Sequence, residues 1–250
     1  MNAWQEIADL KATLDALRPL SRSSLKALEA WYDVELTFTS NAIEGNTLTR
    51  SETALVLDKG FTVRGKPLRD HMEALDHADA IGYVRRLANQ SEPLREGDIR
   101  DLHGLVLGRS QPQLAGRYSD HQRAVAGSAV IFPAPSEIGP LMSALGIWLN
   151  EAEPTPQNSF EAHYQLVTIH PFSDGNGRTA RLLMNLMLLR GGYPPVVIGP
   201  EDRADYLDAL ETAQLGNDMV PYRQFMSERL LTSLRHHIEH AQRAIRADST

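Results

Sequence analysis

The sequence contains no cysteine, so disulfide stapling, thiolate catalysis and cysteine-ligated zinc are excluded. It also lacks an apolar run of the ~18 residues that a membrane-spanning helix requires. The opening stretch, MNAWQEIADLKATLDALRPL, spreads its charges along an amphipathic pattern and has no apolar centre of the kind a secretion signal needs. The expectations are no membrane partner and a cytoplasmic location. Positive charge is in short supply: 25 Lys and Arg against 32 Asp and Glu give a formal charge of -7. General nucleic-acid binding needs clustered cations to neutralise phosphates, so that class is set aside, while a local basic pocket stays open. Repeats, low-complexity tracts and long linkers are absent as well.

What is present reads as a soluble, largely helical protein. The chain has 250 residues, of which 42% are apolar, enough for one large domain or two small ones with a sizeable core. Thr49-Arg50-Ser51-Glu52 reads as a capping box opening a helix that Gly60 stops. A periodic segment runs from about Pro67 to Leu87. Asp98 reads as the N-cap of a segment carrying Ile99, Leu102, Leu105 and Val106, and Ser136 precedes another with Leu141, Leu145, Ile147 and Trp148. Gly116–Pro135, with its Gly127-Ser128 pair, reads as a short hairpin or flap. After Arg181 comes LLMNLMLLR, apolar on nearly every face and therefore central and buried, ending at Gly191-Gly192. Two more helices are expected, near Glu201–Leu215 and from Pro221 onward.

The chemistry concentrates in His170-Pro171-Phe172-Ser173-Asp174-Gly175-Asn176-Gly177-Arg178-Thr179-Ala180-Arg181. Pro171 biases His170 away from the helical region, so the preceding helix should end there. Gly175 and Gly177 allow a tight loop to bring backbone N–H groups against a ligand. The buried helix starts directly afterwards, and its N-terminus is an anion site. Arg178 and Arg181 share a helix face and can grip a polyphosphate in forked pairs. Asp174 puts an oxygen ligand where Mg²⁺ would bridge to phosphate oxygens. His170 can be neutral at pH 7 and accept a proton. Taken singly, each piece has a plain structural reading; together, opening an apolar helix, they point to triphosphate chemistry.

At every defined position the segment resembles the signature of the Fic family of AMP transferases. The likeness extends outward to Ala162–Ile169 and Leu182–Pro195 as the flanking helices and to Gly116–Pro135 as a flap that aligns the target. The resemblance implies an all-α, Fic-type helical bundle with a small β-hairpin flap, acting as a protein adenylyltransferase. ATP and Mg²⁺ would be its cofactors, and a target protein with a Ser, Thr or Tyr hydroxyl its partner. It assigns deprotonation of the target to His170, Mg²⁺ to Asp174, phosphate contacts to Gly175, Asn176 and Gly177, the γ-phosphate to Arg178 and support of the phosphate site to Arg181. The adenine pocket falls on the helix beginning at Tyr206, with Tyr206 and Gln214.

Far upstream, Ser40-Asn41-Ala42-Ile43-Glu44-Gly45 resembles the family's inhibitory-helix motif. Gly45 reads as a left-handed cap ending a helix, which leaves Glu44 at the negative end of the helix dipole, where a carboxylate is disfavoured without a partner. The resemblance makes Arg178 that partner, so that Glu44 would block productive ATP alignment. The implied layout is an N-terminal helical region over residues 1–90 with the inhibitory helix at about 30–46, a catalytic core over 91–230 and a C-terminal helix over 231–250. Self-association is left open. Three rival readings stay in view. Gly175-x-Gly177-x-x-Ala180 fits a dinucleotide-binding loop, with Val196–Ile198 as a possible second strand. A catalytically silent interaction module is opposed by the intact His170, Asp174 and arginines. De-AMPylation or another phosphate-linked transfer could run on the same scaffold.

Overall fold

A computed structural model describes residues 3–124, 129–216 and 218–248. Among these residues the architecture is ten α-helices and no strand: α1 (Ala3–Ala16), α2 (Arg22–Ile43), α3 (Arg50–Lys59), α4 (Leu68–Ala88), α5 (Glu96–Val106), α6 (Pro135–Glu151), α7 (Pro156–Ile169), α8 (Asn176–Arg190), α9 (Arg203–Gly216) and α10 (Val220–Asp248). The all-α class is as expected.

α8 is the axis. Leu182, Leu183, Met184, Leu186, Met187 and Leu188 are all 2% exposed or less, and burying such side chains contributes about 1.5–3 kcal/mol each. α7, α4, α5 and α2 pack around it. The one polar residue in its centre, Asn185, is satisfied from both ends: it accepts from Val196 N at 2.8 Å and donates to Val196 O at 3.1 Å. That clamp holds Val196–Ile198 as extended chain paired to a side chain, with no neighbouring strand. A strand is also missing ahead of the glycine loop, which instead follows α7. The dinucleotide-binding reading fails on both counts, because that unit needs a strand leading into the loop.

Local rules account for most helix ends. Thr49 and Glu52 form the reciprocal capping box, and Gly60 closes α3 at φ 66°. Thr155 caps α7 by accepting from Asn158 N, with Pro156 in its first turn. Two starts come earlier than expected. α5 opens at Glu96, and Asp98 is its third residue, accepting from Arg95 N at 2.8 Å. α6 opens at Pro135, where Glu137 accepts from Ala134 N at 2.7 Å. In both, the acid reaches back to the chain before the helix, so it marks the first turn and not the cap.

α2 is longer than the expected 30–46, starting at Arg22 behind a Ser21 cap. α10 runs unbroken through the boundary expected at residue 230, and one large apolar core extends from Ile7 on α1 to Ala241 on α10, with a small separate cluster of Leu48, Val56 and Ala74 beside it. Of the expected hairpin, residues 125–128 lie outside the described residues. Its described flanks form no ladder and make one isolated antiparallel bridge, Tyr118 to Phe172. None of the described helices is long and apolar enough to cross a membrane.

Candidate active site

The histidine and the anion loop meet as the motif's local physics requires. α7 ends at Ile169, and His170 takes the left-handed conformation, φ 50°, ψ 53°, as its cap. It is the only non-glycine residue with positive φ among those described. Its Nδ1 lies 3.3 Å from Val167 O. A carbonyl can only accept, so Nδ1 carries the proton and Nε2 is left with its lone pair. Burial pushes the His170 pKa below the ordinary histidine value, outweighing the nearby Glu44 and Asp174 charges that raise it. The ring packs against Phe132, centroids 4.2 Å apart.

The loop turns at Gly175, φ 77°, which caps α8 with no side-chain hydrogen bond to the helix's first turn. The opening N–H groups of α8 therefore face outward without a cap, the arrangement that receives an anion. Asn176 does not offer its side chain to that site. Its amide accepts from Phe172 N at 2.9 Å and donates to Phe172 O at 2.8 Å. The Asn176 side chain thus ties the loop to itself, and it is the backbone of Asn176 that lies at the helix opening.

Asp174 stands beside the loop. One carboxylate oxygen accepts from Gly175 N at 2.6 Å and faces Arg178 Nη2 at 3.3 Å. The other accepts from Gln111, at a short distance, and from Arg69 at 3.3 Å. Burial pushes its pKa up, but Arg178, Gln111, the Gly175 amide and Arg69 together hold it below the usual value, so it is a carboxylate. No group of three or more metal-ligating side chains occurs among the described residues. A single carboxylate beside a phosphate site fits the way Mg²⁺ is held, by one or two protein oxygens plus substrate oxygens.

The two arginines divide their work differently from the sequence reading. Arg178 is 2% exposed. It faces Asp174 and, at 3.6 Å, Glu73 of α4. Its Nε and Nη1 have no hydrogen-bond partner among the described residues. Arg181 takes Glu44 instead: its Nη2 donates to Glu44 Oε1 at 2.8 Å and to Ser40 O at 2.9 Å, and its Nε donates to Ser40 Oγ at 3.0 Å. The expected Glu44–Arg178 pair is therefore replaced by Glu44–Arg181. The reason is helical phase. Arg178, four residues after Asp174, is drawn to that carboxylate and to α4, while Arg181, one turn deeper, meets the end of α2. Glu44 does sit at the helix end, with Gly45 at φ 96°. The following segment is clipped to α4, Asn46 donating to Asp70 O and Glu73, and Thr47 donating to the Asp70 carboxylate.

Glu44 also marks where an anion goes. A Cβ placed on Gly177 would lie 2.5 Å from Glu44 Oε1 and 3.0 Å from Arg181 Nη1. The carboxylate thus rests on the opening turn of α8, over the glycine whose missing side chain makes room for it.

Tyr206 is not at an adenine pocket. It is 1% exposed, its hydroxyl is 2.8 Å from His163 Nε2 inside the core, and burial pushes its pKa up against the lowering charge of nearby Arg181. Gln214 is partly exposed and donates to Thr168 Oγ1 at 3.2 Å, two residues before His170. The described flanks of the 116–135 segment reach this part of the molecule: Ser119 N donates to Pro171 O at 2.8 Å, and Ala129 N donates to Glu211 of α9 at 2.9 Å.

Other site residues come from elements that sequence reasoning did not connect. His103 of α5 stacks on Phe172, ring centroids 3.6 Å apart, accepts from Gly116 N at 3.0 Å and donates to Asp174 O at 2.9 Å. It joins the flap base to the loop and closes on Gly175, where a Cβ would come 3.2 Å from its Nε2. Gln111 and Glu73 fix Asp174 and Arg178. Asp76, fully buried, accepts from Arg109 N and Ser110 N just before Gln111. The signal for these in the sequence was slight: acids and a histidine on the apolar faces of α4 and α5.

Residues 93–188 match the Fic/DOC family profile. The chain is 42% identical over 193 residues to a protein adenylyltransferase Fic of Nematostella vectensis, covering 75% of this chain and 44% of that protein. It spans less than half the length of the curated relatives it matches first. Its fold superposes on a Fic domain containing signaling protein from Bacteroides thetaiotaomicron with a TM-score of 0.87 and 31% identity, covering 95% of this chain and 97% of that one. On Caenorhabditis elegans Fic-1 the TM-score is 0.84 at 30% identity, covering 95% and 72%. With 31% identity to a solved Fic protein over 95% of this chain and 97% of that one, and a family profile matched over residues 93–188, this chain belongs to the Fic/DOC family.

Proposed function

We propose that this protein transfers AMP from ATP to a hydroxyl of a target protein, and that Glu44 restrains the transfer. The observation that carries the reading is one arrangement: His170 presents an unprotonated Nε2 beside a helix N-terminus whose anion position is held by Glu44 against Arg181. In the reaction, Nε2 takes the proton of a Ser, Thr or Tyr hydroxyl. The hydroxyl oxygen attacks the α-phosphorus, the bond from that phosphorus to its bridging oxygen breaks, and pyrophosphate leaves. Such chemistry depends on in-line placement and charge stabilisation more than on covalent help, and a placed general base contributes roughly 10²–10⁴-fold.

The α8 opening turn and Arg178, with its unpaired donors, cradle the phosphates. Arg181 receives the terminal phosphate when Glu44 withdraws. That reassigns the γ-phosphate from Arg178 to Arg181, because the carboxylate on Arg181 already stands in for an anion. Asp174 would hold Mg²⁺, which supplies charge neutralisation between the phosphates when bound. Gln214, beside Thr168 on the His170 side of α9, lines the region left for the base.

Intact-mass measurement after incubation with ATP and Mg²⁺ tests the reading, on the chain itself and on candidate targets. A gain of one AMP is expected, abolished by His170→Ala. A gain of phosphate alone, or AMP addition by the His170→Ala protein, would contradict it. Loss of AMP from a modified target would favour removal in place of transfer.

A further inference from the structure

Behind Arg181 lies a polar array in the core that the proposed chemistry does not use. His163 of α7 and Tyr222 of α10 are 0% exposed, Tyr206 of α9 is 1% exposed and Arg181 itself 5%. His163 Nε2 is 2.8 Å from the Tyr206 hydroxyl, and His163 Nδ1 is 2.8 Å from the Tyr222 hydroxyl. Tyr222 donates to Phe160 O at 2.8 Å, and the Tyr206 hydroxyl is coupled electrostatically to the neighbouring Arg181 guanidinium.

The two ends fix the direction of every bond between them. A guanidinium only donates and a carbonyl only accepts. Tyr222 spends its one proton on Phe160 O, so it must accept from His163, and Nδ1 carries the hydrogen. Burial holds His163 neutral, its pKa pushed down to about 3, so Nε2 is bare and Tyr206 must donate to it. The Tyr206 oxygen then presents only lone pairs to Arg181. The hydrogen bonds run one way, from Tyr206 through His163 and Tyr222 to Phe160, and they leave the Tyr206 lone pairs to the nearby Arg181 charge. Buried arrays satisfied throughout in this way rigidify what they touch.

We infer that His163 is a positioning residue for Arg181: by fixing the polarity of the Tyr206 hydroxyl it holds the guanidinium in place for the terminal phosphate of a nucleoside triphosphate. The inference rests on the proposed role of Arg181. Ser40 holds the guanidinium from the α2 side, Tyr206 from behind, and Glu44 covers its front. When Glu44 leaves, the other two holds remain, so the phosphate meets a charge already placed. His163 stands on α7 seven residues before His170, which caps that helix, so the same helix carries the base at its end and, through Tyr206, the phosphate grip.

The test is calorimetric binding of ATP and of AMP, with Mg²⁺, to the full chain in a Glu44→Gly background. AMP has no terminal phosphate to reach Arg181. His163→Leu should weaken ATP binding on the order of tenfold and AMP binding by less than about twofold. Tyr206→Phe, which keeps the core's shape, should do the same. His163→Gln should keep ATP binding within about threefold of its parent, since its amide can accept from Tyr206 and donate to Tyr222. Equal losses for ATP and AMP in both His163→Leu and Tyr206→Phe would make the array a folding feature and overturn the inference. So would an ATP preference that both variants retain. If the Glu44→Gly parent itself binds ATP no more tightly than AMP, the role of Arg181 falls, and the inference with it.

Discussion

At the residue scale, proton bookkeeping does most of the work. His170 is held neutral by burial and oriented by the Val167 carbonyl, so the lone pair that the reaction needs is present at neutral pH. Because its pKa lies below the ordinary histidine value of about 6.5, the acid limb of the rate profile should have its midpoint below that pH. The measurement is kcat/KM against pH for the Glu44→Gly protein, with the limb lost as pH falls. A midpoint above about 7 would exclude a histidine whose folded pKa is lowered. The sequence made His170 legible because its neighbours are its environment: Pro171 ends the helix and Gly175 turns the loop. It could not choose between Arg178 and Arg181 for Glu44. Three positions of helical phase and the competing pull of Asp174 and Glu73 made that choice.

At the element scale, α8 and the loop that opens it were readable because their rules are local. An apolar run predicts burial, and two glycines before it predict an uncapped N-terminus. The α3 capping box was readable for the same reason. The supports of the site were not. His103, Gln111, Glu73 and His163 come from four separate places in the chain, and each alone is an ordinary polar residue in a helix or turn. Tyr206 was assigned to the adenine pocket by resemblance of its helix alone, and the structure instead buries it with its hydroxyl engaged by His163. The close approach at Gly177 yields a prediction at this scale. Glu44 Oε1, the nearest atom, ends a partly exposed, flexible side chain that can move away from an added methyl, so Gly177→Ala should fold with its melting temperature kept or raised, alanine being the better helix former by about 1 kcal/mol. The same methyl occupies the anion position, so ATP affinity should fall by about tenfold or more. Titration calorimetry beside thermal melting checks both, and ATP binding as tight as in the parent would show that the phosphate lies elsewhere.

At the scale of the whole molecule, one core carries the fold, the site and the restraint, and it contains three fully buried neutral histidines. Burial pushes His77 and His163 down to about 3 and His103 down to about 4. The unfolded chain takes up protons near pH 6.5, while the folded one does not until far lower. Stability therefore rises with pH across that window and is lost as pH falls through it. At pH 5.5 each buried histidine should cost about 1.4 kcal/mol, on the order of 4 kcal/mol for the three, which is large against a total stability of about 5–15 kcal/mol. Thermal melts at pH 7.5 and pH 5.5 should differ by many degrees, and equal melting temperatures would contradict neutral burial.

The same wholeness explains how a residue 126–137 positions upstream of the loop comes to touch it: α2 ends against α8, and α4 pins the chain that follows Glu44. The pair is charge-assisted, but Glu44 is 40% exposed, so solvent screening places it at the low end of the usual 1.5–3 kcal/mol, about a tenfold effect. The measurement that tests this most directly is transfer of label from α-labelled ATP, to the chain itself and to a target. It compares the wild type, Glu44→Gly and the double variant Glu44→Gly with His170→Ala. Glu44→Gly should incorporate about ten times more label than the wild type or above, and the double variant none. Equal labelling of wild type and Glu44→Gly, both clearly active, would contradict the restraint.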